Sequence, residues 1–159
     1  MAAHCTFVLN GQPLSKLVCD GLTFPAFSGD VGHENKPADT ALAKAGPIPK
    51  GRYYIISRES GGRLGWLWDP IKDEFSDSHR SEWFSLHPMA QPMADWVIVN
   101  GIRRDNFRLH PAGRQRLSEG CITLTDKSRF NQLRSYLLSL PPSYIPGTKS
   151  RYYGVVEVK

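Results

Sequence analysis

The sequence predicts a mostly β fold with one main α-helix. Short runs rich in β-branched and aromatic residues recur between Gly, Pro, Asn and Asp, and a single amphipathic repeat stands against them. That repeat is Phe130, Leu133, Leu137 and Leu140, stopped by Pro141-Pro142. With 159 residues, residues 1–159 are expected to form one domain, large enough for a core without metals or disulfides.

In chain order, Asn10-Gly11 lies between Thr6-Phe-Val-Leu9 and Pro13-Leu-Ser-Lys-Leu-Val-Cys19 and predicts an N-terminal β-hairpin. A two-residue turn there sets Cys5 nearly opposite Lys16. Buried thiols are therefore the expectation for Cys5 and Cys19, although a longer loop would change the register. Residues 28–46 are rich in Gly, Asp, Asn and Pro and read as a loop; Arg52-Tyr-Tyr-Ile-Ile-Ser57 reads as a buried strand. Gly61-Gly62, Pro70 and the mixed charges from Lys72 to Glu82 mark a long excursion holding Trp66, Trp68 and Trp83. Strands Trp96–Val99 and Ile102–Leu109 flank Asn100-Gly101 and deliver His110 to a strand end, where Pro111 stops the pairing. Ile122 and Leu124 begin another buried strand, Thr125 or Asp126 caps the helix, and Tyr152–Val158 closes the chain.

Formal charge is +5, unevenly spread: residues 1–100 carry 9 Lys and Arg against 11 Asp and Glu, and residues 101–159 carry 11 against 4. Arg103, Arg104, Arg108, Arg114 and Arg116 are expected to attract carboxylate-bearing substrates. No helix-turn-helix, zinc-finger or RNA-binding signature accompanies them, so nucleic acid is not an expected partner. Cys-x-x-Cys and His-x-x-x-His spacings are missing from the sequence, and neither a metal nor a cofactor is expected. No run has the length of a membrane span, and residues 1–15 lack a signal-peptide core, so export by the general secretory route is not expected.

The chemistry concentrates in His110-Pro-Ala-Gly-Arg-Gln-Arg-Leu-Ser118-Glu-Gly120-Cys121-Ile-Thr-Leu124. Gly120 permits a positive φ or a close backbone approach, which holds Cys121 at a turn where an imidazole can act as its base. Phe84-Ser-Leu-His87-Pro88 echoes Phe107-Arg-Leu-His110-Pro111, so either histidine could face Cys121 on these grounds alone.

The Ser118-Glu-Gly120-Cys121-Ile122 string resembles the nucleophile motif of the YkuD-type L,D-transpeptidases. Two departures, Glu119 for a histidine and Thr123 for an arginine, look like a divergent branch of that superfamily. The branch comprises the L,D-transpeptidase-like antibacterial effectors of type VI secretion systems. Phe27-Ser-Gly29, Gly46-Pro-Ile-Pro-Lys-Gly-Arg-Tyr-Tyr-Ile55 and Phe107-Arg-Leu-His110-Pro111 extend the resemblance from about residue 27 to 124.

The resemblance implies a β-sandwich-like L,D-transpeptidase domain and an enzyme, an L,D-transpeptidase or L,D-carboxypeptidase with a cysteine nucleophile. Cys121 and His110 would be catalytic, acting on tetrapeptide stems of peptidoglycan with loss or exchange of the terminal D-alanine. Ser118 would brace the turn, and backbone N–H groups at Gly120 and Cys121 would hold the oxyanion. Arg108, Arg114 and His87 would meet substrate. Implied partners are peptidoglycan stems, a cognate immunity protein and a component of the secretion apparatus. Synthesis would be cytoplasmic, with action in a target cell's periplasm. Other cysteine amidases and proteases normally put the cysteine before the histidine, the reverse of this order. A non-catalytic wall-binding module is the other alternative.

Overall fold

The computed structural model describes residues 1–57, 82–89, 94–113 and 120–159. Among the described residues twelve strands and one α-helix follow in order: β1 (Ala3–Phe7), β2 (Ser15–Cys19), β3 (Leu22–Phe27), β4 (Gly51–Ser57), β5 (Phe84–Pro88), β6 (Trp96–Val99), β7 (Ile102–Asp105), β8 (Arg108–Pro111), β9 (Ile122–Leu124), α1 (Lys127–Ser139), β10 (Ser143–Tyr144), β11 (Arg151–Tyr152) and β12 (Gly154–Val158). Eight strands close into a barrel in the order β1-β12-β4-β5-β8-β9-β3-β2, while β6–β7 and β10–β11 form separate two-stranded sheets. The architecture is mostly β with one main helix, as the sequence predicts, and its sheets meet in a closed wall.

Period-two alternation fills the barrel. Ala3, Cys5 and Phe7, then Leu17 and Cys19, Phe24 and Ala26, Tyr53 and Ile55, and Val156 and Val158 all enter one core. Helix α1 adds Phe130, Leu133 and Leu137 to it, with Phe130 lying 6.4 Å from the Phe84 ring. Asp126 caps the helix by accepting from the Arg129 N–H at 2.7 Å. Two barrel pairings are parallel, β1 with β12 and β8 with β9.

The N-terminal hairpin departs from the expected register. Strand β1 pairs with β2 so that Phe7 faces Leu17 and Cys5 faces Cys19, across a connection much longer than a two-residue turn at Asn10-Gly11. Asn10 serves that connection by accepting from the Gln12 N–H and donating to the Leu14 carbonyl, both at 3.0 Å. Directly opposed cysteines with Cα atoms 4.1 Å apart are within disulfide reach, and Cys5 and Cys19 are bonded. The expectation of two buried thiols is thus corrected.

Strand Ile102–Leu109 is likewise broken in two. Asn106, at φ 57°, turns the chain out of β7 and into β8. Residues 28–46 are irregular as expected, apart from a 3₁₀ turn at Pro37–Asp39. Buried Asn35 organises them: its side chain accepts from the Ser28 N–H at 2.9 Å and donates to the Gln12 carbonyl at 2.8 Å.

A disulfide closing a loop of this size contributes about 3 kcal/mol. Replacing Cys5 and Cys19 by serine, or unfolding under reductant, should lower the denaturation midpoint accordingly. Chemical denaturation of the oxidised and reduced protein measures it, and coincident curves would refute a stabilising role.

Candidate functional site

Strands β8 and β9 bring the motif residues together. Their parallel register pairs Leu109 with Ile122 and His110 with Thr123. Leu109 and Ile122 point into the core, so alternation turns His110 and Thr123 to the opposite face of the wall. One step back along the same offset, Cys121 comes beside Arg108. Antiparallel β5 continues the face: Ser85 pairs with Arg108, and extending that register sets Trp83 across from His110.

His110 is 8% exposed and fixed at both nitrogens. Its Nδ1 lies 2.8 Å from the Pro111 carbonyl, which can only accept, so Nδ1 carries the hydrogen. Nε2 is then the basic nitrogen of the neutral ring, 3.4 Å from Thr123 Oγ1, which donates to it. The Trp83 indole stacks on the imidazole with centroids 4.3 Å apart and planes inclined by 21°.

Gly120 sits at φ 99°, a conformation that favours glycine. A Cβ there would lie 2.6 Å from an Arg104 guanidinium nitrogen and 3.5 Å from the Phe107 ring. Arg104 is 1% exposed and donates to three backbone carbonyls: Thr40, Pro47 at 3.1 Å and Gly46 at 2.9 Å. Burial pushes its guanidinium below the ordinary arginine value, and neighbouring Tyr53, Asp105 and Cys121 act in the other direction. The same burial raises the Tyr53 hydroxyl, against the lowering influence of Arg104. Tyr53 donates to the Pro49 carbonyl at 2.7 Å. Ser28 adds a further tie by accepting from the Ile48 N–H at 2.8 Å. The Phe27-Ser-Gly29 and Gly46-Pro-Ile-Pro segments are therefore the floor of the Gly120 turn.

One expectation is corrected here. The sequence points to an L,D-transpeptidase or L,D-carboxypeptidase with a cysteine nucleophile, in a chain whose cysteines are all thiols. Cys5 and Cys19 instead form a disulfide within the core. Sulfur held in a disulfide has no thiolate to offer, and the reading of the chain as a reduced cysteine enzyme is set aside. Cys121 lies outside that bond, half-buried, with its Sγ–H directed to the Asn106 carbonyl at 3.9 Å.

Of the other expected site residues, His87 and Arg108 share the outer face with His110. The Arg108 guanidinium donates to the Phe107 carbonyl at 2.9 Å. Burial pushes His87 below the ordinary histidine value; Asp95 opposes this and Arg108 reinforces it. Ser118 and Arg114, with Arg116, Trp66 and Trp68, lie outside the described residues. Trp83 is not among the expected site residues, and Arg104, expected to help attract carboxylate-bearing substrates, is instead buried on backbone carbonyls. Arg104 looked like one arginine of a basic cluster, and Trp83 like part of the excursion, although it directly precedes the Phe84–Pro88 echo.

An eight-stranded barrel thus carries a glycine turn over a buried arginine, with a histidine held through its Nδ1 on the adjacent strand. The Tlde1 domain family matches residues 22–148, and the chain belongs to that family of L,D-transpeptidase-like type VI secretion effectors, whose function is directed at peptidoglycan. No curated protein and no solved structure matches the chain. Among the described residues, no helix is long and apolar enough to cross a membrane.

Two measurements check this geometry. Gly120→Ala must either strain its backbone or displace the Arg104 guanidinium, at a cost of about 1–3 kcal/mol. An unchanged unfolding midpoint would refute the clash. His87 has a lowered value in the folded state, so the unfolded chain binds a proton more readily. Stability should hold above the ordinary histidine value, about 6.5, and decline as pH falls below it. His87→Gln should flatten that decline in denaturation curves recorded across the window.

Proposed function

We propose that this chain works on the tetrapeptide stems of peptidoglycan at the corner formed by His110, Thr123, Gly120 and Cys121. One observation carries the reading: His110 is held as the Nδ1–H tautomer, leaving Nε2 as the group that meets a bound stem. A buried imidazole fixed this way accepts a hydrogen bond from a stem amide N–H, or a proton from a water or amine that attacks the stem. Backbone N–H groups at Gly120 and Cys121 are the donors for a stem carbonyl oxygen. Arg108, with Arg114, answers the stem carboxylates, and His87 borders the same face. In the finer form of the proposal a water or a free D-amino acid amine bonds to the stem carbonyl carbon and loses its proton to His110 Nε2, which passes it to the amine of the departing terminal D-alanine, so that D-alanine is removed or exchanged.

The reading extends to compartment and partners. Disulfides persist in oxidising surroundings such as the bacterial periplasm, and the Cys5–Cys19 bond suits action there. Family membership supports delivery by a secretion apparatus and protection of sibling cells by a cognate immunity protein.

Incubation of the purified protein with tetrapeptide muropeptides, followed by mass spectrometry, tests the proposal. Loss or exchange of the terminal D-alanine is expected. His110→Ala should slow it by at least about two orders of magnitude, and His87→Ala far less. A reversed ranking would move the working histidine to β5. Stems that are bound but unchanged would make the chain a wall-binding module, and stems neither bound nor changed would overturn the reading.

Compartment gives an independent check. Fused to a signal peptide, the chain should harm a Gram-negative host, whereas the same chain retained in the cytoplasm should not. Equal killing from both compartments would argue for another target.

A further inference from the structure

We infer that Trp83 is a positioning residue for His110, holding the imidazole in one plane from the neighbouring strand. The inference rests on His110 belonging to the stem site proposed above. Two contacts restrain the ring along different directions. The bond from Nδ1 to the Pro111 carbonyl, 2.8 Å long, lies in the ring plane and fixes which edge faces the backbone. By itself it leaves the ring able to tilt about the N–H···O line, because the second side-chain torsion of histidine is broad. The indole removes that freedom, stacking at 4.3 Å and 21° on the imidazole face.

Strand geometry explains why a tryptophan can do this. Register pairs Phe84 with Leu109 and Ser85 with Arg108, so the residue before Phe84 lies opposite His110. Phe84 and Leu109 are core residues, and alternation sends Trp83 and His110 together to the outer face. Thr123 on β9 flanks the imidazole from the other side through its contact with Nε2 at 3.4 Å. Arg108 lies along the same strand face, with Cys121 ahead of β9.

An indole suits a ring that must change charge. A neutral imidazole stacks on it as one aromatic on another, and a protonated one is held by cation–π attraction. The ring can therefore gain and lose a proton without leaving its place. An aliphatic side chain could fill the same volume but would lose the charged form.

The test compares wild type, Trp83→Leu and Trp83→Phe by NMR of the His110 ring. In wild type the ring protons should be displaced upfield by the indole ring current, and the nitrogen shifts should report a single Nδ1–H tautomer. Trp83→Leu should lose the upfield displacement while the Pro111 bond keeps the Nδ1–H tautomer, with stem processing slowed by up to about 10²-fold. Trp83→Phe should keep the single tautomer, show a smaller upfield displacement and recover most of the rate. An upfield displacement unchanged in Trp83→Phe would overturn the stack, which keeps the test open if the leucine variant fails to fold. A folded leucine variant that processes stems at the wild-type rate would overturn the positioning role. Spectra that change as expected in a protein inert toward stems would instead overturn the stem reading and leave the stack standing.

Discussion

The Arg104 guanidinium, buried and bonded to the carbonyls of Thr40, Gly46 and Pro47, is the contact on which the rest of the site depends. A buried cation is costly unless its N–H groups are satisfied, and here the backbone of a distant loop supplies the acceptors. The loop must therefore fold back over β7 for Arg104 to be tolerated, and Arg104 must be present for the loop carbonyls to be satisfied. The two are conditional on each other. Gly120 passes over the same guanidinium at a distance no side chain permits. Glycine is thus required by sterics as well as by its dihedral angle.

Outward from this contact, the barrel wall arranges the remaining groups by register alone. Core residues on β5, β8 and β9 fix which neighbours alternate to the outside, and those neighbours are Trp83, Ser85, Arg108, His110 and Thr123. A slip of one residue on any of the three strands would turn that strand's outward residues into the core and its core residues outward, so core packing protects the site's geometry. The Cys5–Cys19 bond does the equivalent on the far side, tying β1 to β2 within the same closed wall.

Much of this was legible in the sequence. Helix α1 was visible from its repeat, its cap at Asp126 and the prolines that follow, because each signal acts locally. His110 and the Gly120 turn were legible from residue types whose physical uses are narrow. Strand β3 was not, because Pro25 interrupts Leu22–Phe27 and removes a donor; the Pro25 carbonyl nonetheless accepts from the Thr125 N–H at 3.2 Å. Strand β5 alternates Phe84 and Leu86 with Ser85 and His87, but four such residues before Pro88 are too short a run to tell from a loop. The disulfide escaped because its register is set by the pairing of Phe7 with Leu17, not by the turn chemistry of Asn10-Gly11. Arg104 and Trp83 depend on partners far away in the chain, which neither composition nor periodicity reports.

Parallel pairing of β8 with β9 has a consequence for how such sites are recognised. His110 is paired with Thr123, two residues after Cys121, by a fixed offset between two strands and not by the number of residues joining them. Residues added or removed between the two strands need not disturb that offset. A search that fixes the histidine-to-cysteine interval would therefore miss close cousins. One that aligns the apolar pairs Leu109–Ile122 and Pro111–Leu124, and reads the residues between them, would find the same face at any loop length.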